Sequence, residues 1–173
     1  EFTILWASQV EPAFDAVTGK TGDPETPKKI EKRLIELSVK YDFKLIVRPH
    51  PSEHRPKWFR FPQNCTFSPA SEDLYDALER SDLVVTMHST VGMQGYFFGL
   101  PCINVEVSIF SEAAEFVRNG MAEPCASIDA LEDHILEVRG RKHWGRQKIL
   151  SNADPAKAVC DCIDSLLESV DGA

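Results

Sequence analysis

Three places in this chain set cations, imidazoles or hydroxyls directly behind a run of apolar residues. The first is Arg48-Pro49-His50-Pro51-Ser52-Glu53, which follows Lys44-Leu45-Ile46-Val47. A guanidinium offers a planar fork of donors that matches a phosphate, and an imidazole can donate to a phosphate oxygen or act as an acid near neutral pH. Two prolines stiffen the backbone that carries them. Arg48 is thus a candidate phosphate-binding residue and His50 the candidate catalytic group. The plain alternative is a surface loop whose prolines only end a strand.

The second place is His88-Ser89-Thr90-Val91-Gly92-Met93-Gln94-Gly95, behind Leu83–Met87. Here an apolar run passes straight into a helical pattern, so the free amides of a first turn would stand beside two hydroxyls, an arrangement that suits an anion. His88, Ser89 and Thr90 are candidate ligands. Gln94 lies one turn further along, where its amide could reach a ribose hydroxyl. The competing reading makes Ser89 or Thr90 an ordinary N-cap and Gly92 and Gly95 spacers for helix–sheet packing. The third place is the loop from Gln9 to Pro27, long enough for a lid in which Lys20 and Thr21 would meet a phosphate, or else a loop without function.

Two apparent motifs carry no chemistry. Gly92-x-x-Gly95-x-x-x-Gly99 matches neither the dinucleotide G-x-G-x-x-G nor the Walker G-x-x-x-x-G-K-[ST] pattern. His50-x-x-x-His54 has metal-ligand spacing only on a helix, which the prolines at 49 and 51 forbid, so no metal site is expected there. Arg55-Pro56-Lys57-Trp58-Phe59-Arg60-Phe61 interleaves cations with aromatics; it would touch a membrane surface peripherally, stack on an acceptor, or pack on its own or a neighbouring domain.

These segments need a framework. Strands are expected at Thr3–Ala7, Lys44–Val47, Cys65–Phe67, Asp82–Met87 and Cys102–Val105. Helices are expected from a capping Thr26 with Pro27 at its first position, after Ser71-Glu72-Asp73, over Val91–Phe98 with a stop at Gly99-Leu100-Pro101, and around Glu112–Asn119, Ile128–Val138 and Ala156–Ser169. Strands alternating with helices imply an α/β fold, a Rossmann-like parallel sheet with helices on both faces. In such sheets ligands sit beyond the carboxyl ends of the strands.

Composition narrows the field. With 173 residues there is room for one domain, 1–173. The net charge of −8 repels a nucleic-acid backbone, so no nucleic-acid partner is expected and any phosphate site must be local. Basic residues do gather in Arg48–Arg60 and Arg139–Lys148. The five cysteines show no C-x-x-C pairing, and no apolar run approaches a membrane span, which points to reduced thiols and a cytoplasmic setting.

The ordered set Lys44–Pro51, Ser81–Thr90 and Gly99–Val105 resembles the C-terminal, nucleotide-binding half of GT-B glycosyltransferases. It is similar above all to the branch of capsule and surface-polysaccharide transferases, CDP-glycerol glycerophosphotransferases and UDP-N-acetylglucosamine 2-epimerases. The resemblance implies that Arg48 and His50 lie near the donor's phosphates and that Ser89 and Thr90 bind the diphosphate. Gln94 stands where a carboxylate commonly holds the ribose, and Thr90-Val91 where the epimerases carry two glycines. The function implied is donor binding in a metal-independent glycosyltransferase or glycerophosphotransferase of surface or capsular polysaccharide biosynthesis, with a UDP or CDP/CMP-type ligand and no cofactor. The absence of an Asp-x-Asp motif agrees with the metal-free reading. A UDP-GlcNAc 2-epimerase-like enzyme and a non-catalytic nucleotide-binding module are the alternatives. GT-B enzymes use two such domains, so the chain is expected to be a fragment that works with an N-terminal acceptor domain or a partner chain, and to reach a membrane, if at all, through the full-length protein.

Overall fold

The computed structural model describes residues 1–53 and 61–141. The expected helix at Ala156–Ser169, most of the cationic–aromatic segment 55–61 and the basic cluster from Lys142 onward lie outside the described residues.

Strand β1 (Thr3–Ala7) is buried from Ile4 onward. Behind it the chain makes a small hairpin, in which Phe14 bridges Thr21 and Gly19 takes a left-handed φ of 71°. Helix α1 (Thr26–Tyr41) buries Ile30, Leu34 and Leu37 at helical spacing. Thr26 does not cap it. Asp23 accepts the Glu25 amide on its side chain and the Thr26 amide on its carbonyl, so the turn begins earlier and Glu25 becomes the N-cap, without a side-chain bond.

Strand β2 (Lys44–Arg48) and strand β3 (Cys65–Phe67) follow, then helix α2 (Leu74–Glu79), whose N-cap Asp73 accepts the Tyr75 amide. Strand β4 (Leu83–Thr86) is wholly buried and leads into helix α3 (Thr90–Phe97). That helix ends as a Schellman turn: Gly99 has φ 86°, its amide bonds to Tyr96, and the Leu100 amide bonds to Gly95. Strand β5 (Cys102–Val105) is again fully buried.

The single helix expected over Glu112–Asn119 is broken into a 3-10 turn (Ser111–Ala113) and helix α4 (Glu115–Arg118), because Ala114, at φ −76° and ψ 74°, leaves the helical region between them. Strand β6 (Glu123–Cys125) carries no sequence signal beyond its short length, and its Pro124 is tolerated because β6 is an edge strand. Helix α5 (Leu131–Gly140) completes the described part.

The six strands are all parallel in the order β3-β2-β1-β4-β5-β6. Apolar residues of α1 and α5 cover one face, packing on Ile4, Trp6, Val47 and Val85. Those of α2, α3 and α4 cover the other, on Leu5, Ile46, Val84 and Cys102. The chain runs outward from β1 to β3 and then returns to start again at β4. Strand order therefore reverses between β1 and β4, and a crevice opens beyond their carboxyl ends.

Candidate crevice at the carboxyl edge of the sheet

Thr86 locks the floor of this crevice. Its hydroxyl donates to the Ala7 carbonyl at 3.5 Å and accepts the Ser89 amide at 3.1 Å, joining the two strand ends to the turn. Ser89, buried and extended at φ −73° and ψ 140°, is the N-cap of α3, and its hydroxyl accepts the Val91 amide at 3.2 Å. A hydroxyl already spent on the helix is less free for a ligand. Thr90, the first helical residue, is exposed at the rim, and Gln94 is half-buried one turn further on.

The glycines of α3 are spacers first. A Cβ on Gly92 would stand 2.8 Å from the Cys102 sulfur and 3.0 Å from the Thr86 methyl, and one on Gly95 would stand 2.7 Å from a Val84 methyl. Their absence lets the helix press onto β4 and β5, and this seats its first turn at the crevice.

Two imidazoles follow strands at this edge, His50 after β2 and His88 after β4. His50 takes the Ser52 amide on Nδ1 at 3.1 Å, so the neutral ring carries its proton on Nε2 as a free donor. His88 follows β4; its Nε2 is buried without a partner and its ring meets Phe110 edge-on, with centroids 5.3 Å apart. Burial holds the His88 pKa below the ordinary histidine value, the Glu11 charge works against that, and the His50 charge adds to it. The rings after β2 and β4 therefore lie within electrostatic reach of each other.

Arg48 is committed elsewhere. Its guanidinium donates to the Ser68 hydroxyl at 2.9 Å and to the Glu72 carbonyl at 3.0 Å, tying β2 to the segment after β3. The sequence makes it a candidate phosphate ligand; the structure gives it a structural task. Lys20 is paired with Glu112 at 2.7 Å, and Thr21 is exposed. The pair itself lines a cavity of about 430 Å³ together with Ser108, Ile109, Val117 and Arg118 among others.

Sequence reasoning missed Glu11, which is 3 % exposed and accepts from the Ser108 hydroxyl and the Ile109 amide. A carboxylate so close behind a buried strand was the available signal, but its partners lie almost a hundred residues away. Among the described residues no group of three or more His, Cys, Asp or Glu side chains is arranged to hold a metal ion. No helix among them is long and apolar enough to cross a membrane.

Strand order and the position of the α3 N-terminus together define a class, the Rossmann-like α/β domain. No protein-family profile matches the sequence, and neither does any curated protein. Solved structures do. The chain is similar to the UDP-GlcNAc 2-epimerase of Methanocaldococcus jannaschii in complex with UDP-GlcNAc and UDP, at TM-score 0.59 and 14 % identity over 95 % of this chain and 45 % of that one. It is similar to a glycosyltransferase from Streptomyces nogalater, at TM-score 0.55 and 12 % identity over 94 % and 43 %. It is also similar to a wall teichoic acid polymerase, at TM-score 0.57 and 14 % identity over 98 % and 44 %. At such identities the likeness is one of fold, and this chain spans less than half the length of each of these structures.

Proposed function

We propose that this domain binds the donor nucleotide or nucleotide-sugar of a metal-independent glycosyltransferase or glycerophosphotransferase acting in surface or capsular polysaccharide biosynthesis. The observation that supports the reading is the seating of the α3 N-terminus after β4, where strand order reverses, with His88 just before it and within electrostatic reach of His50. The first-turn amides and the Thr90 hydroxyl would take the diphosphate, and Gln94 the ribose. His50, with Nε2 as donor, would face the leaving phosphate, where charge grows in the transition state; a fixed donor there accelerates reaction as well as binding. Arg48 would add a contact only with the N–H groups that Ser68 and Glu72 leave over. The acceptor side would come from an N-terminal domain or a partner chain.

A thermal-shift panel of UDP, CDP, CMP and GDP tests this. A nucleotide at 100 times its dissociation constant adds about 2.7 kcal/mol of stability and raises Tm accordingly. A flat panel would remove the nucleotide site and leave a non-catalytic module of the same fold. A second reading, an epimerase acting on UDP-GlcNAc, draws support from the likeness to the archaeal epimerase. Turnover of the nucleotide-sugar without any acceptor would select it, while Thr90-Val91, in place of the two glycines that the epimerases carry, weakens it.

A further inference from the structure

Glu11, in the loop after β1, is 3 % exposed, and the reaction outlined above makes no use of it. Its Oε2 accepts from the Ser108 hydroxyl at 2.7 Å and its Oε1 from the Ile109 amide at 2.9 Å. The Ser108 oxygen accepts the Phe110 amide at 3.1 Å, and the Phe110 ring rests against His88. Gly22 closes over the carboxylate from the hairpin behind β1: a Cβ there would lie 2.7 Å from Oε1 and 2.4 Å from the Pro12 carbonyl. Burying an ionised carboxylate is costly unless its oxygens are occupied, and here both are.

We propose that Glu11 is a positioning residue of the crevice: its carboxylate fastens the loop after β5 to the loop after β1 and, through Ser108 and Phe110, fixes the place of the His88 ring. The functional consequence rests on the nucleotide reading, but the latch itself can be tested without a ligand. Among the described residues, the charged and titratable groups that act on His88 are Glu11 from the loop after β1 and His50 from the loop after β2.

The test compares the 173-residue chain with Glu11→Gln, Glu11→Ala and Gly22→Ala, reading the His88 ring by NMR titration and the Ile109 and Phe110 amides by hydrogen exchange. Glu11→Gln keeps an acceptor for Ile109 and a partner for Ser108 but loses the charge. The His88 midpoint should therefore move to lower pH while exchange at the two amides stays near wild type. Glu11→Ala should speed exchange at both by more than about tenfold relative to a β4 amide, and Gly22→Ala should do the same with the carboxylate still present. A His88 midpoint unmoved in Glu11→Gln, or exchange unchanged in Gly22→Ala, would overturn the proposal. These two variants also answer should Glu11→Ala fail to fold. Affinity for UDP and CMP, measured on the same proteins, should fall about tenfold in Glu11→Ala and recover in Glu11→Gln. If wild type binds neither, the nucleotide reading fails, and the titration and exchange results still decide the latch.

Discussion

Helix α3 meets the sheet through the missing side chains of Gly92 and Gly95, whereas α5 is tied to α1 by the charges of Arg33, Lys40 and Glu132. Glu132 takes Arg33 and Lys40 at 2.6 Å each and also the Tyr41 hydroxyl. Close packing is short-ranged and tolerates a few tenths of an ångström, so it suits the helix whose first turn lines the crevice. A charge seam bends more easily and depends on solution conditions, and it serves the face that has only to stay closed.

The largest effect should come from filling the glycine contact. Gly95→Ala drives a methyl into Val84 and should cost about 1–3 kcal/mol in urea unfolding, as overpacked cores do, even though alanine favours a helix. Wild-type stability in that variant would mean that α3 can slide, and the proposed rigidity of its first turn would go with it.

Next is Arg48→Ala, which removes two hydrogen bonds of about 0.5–1.5 kcal/mol each and should lower stability by about 1–2 kcal/mol. A phosphate role alone would give a loss of binding; the Ser68 and Glu72 contacts make a loss of both the expected outcome. Calorimetric titration with UDP and CDP beside unfolding separates the two. Unchanged affinity with lowered stability would confine Arg48 to the framework.

The charge seam predicts a pH effect of known sign. Hydrogen bonds from Lys40 and then Tyr41, with the Arg33 charge, hold the Glu132 carboxyl down to about 2, against an ordinary 4.5. A depressed folded value means that its stabilisation is complete above about pH 4.5 and fades as pH falls toward 2. Glu132→Gln should therefore flatten the acid side of the stability profile in that window, and a profile parallel to wild type would show that the seam carries no net energy. The smallest effect is expected at Lys20→Ala. Its pair with Glu112 is exposed, so Tm should not move measurably, while salt should erase any change in nucleotide on-rate.

The parts of the site that local chemistry dictates were legible. A buried run ending in His88-Ser89-Thr90 and a stop at Gly99-Leu100-Pro101 leave little choice about where α3 begins and ends, and the alternation of strands and helices leads to the parallel sheet. The parts that depend on distant partners were not. Gly92 reads equally as ligand clearance or as a spacer until Cys102 is known to lie beneath it, and Arg48 looks free until Ser68 and Glu72 come round from the next strand. Glu11 could be given a role only once the loop after β5 had returned to it. Thr26 was misread as a cap because Asp23, three residues earlier, takes the Glu25 and Thr26 amides and so starts the turn before it.

The sulfur beneath Gly92 has one more consequence. Cys102 is wholly enclosed, and burial pushes its thiol far above the ordinary range, so it should be silent to alkylating reagents while α3 is seated. Reagent can reach it only when the helix lifts from β4 and β5. The rate at which mass mapping finds label on this cysteine therefore clocks the opening of the crevice floor, using a reporter that the chain already carries.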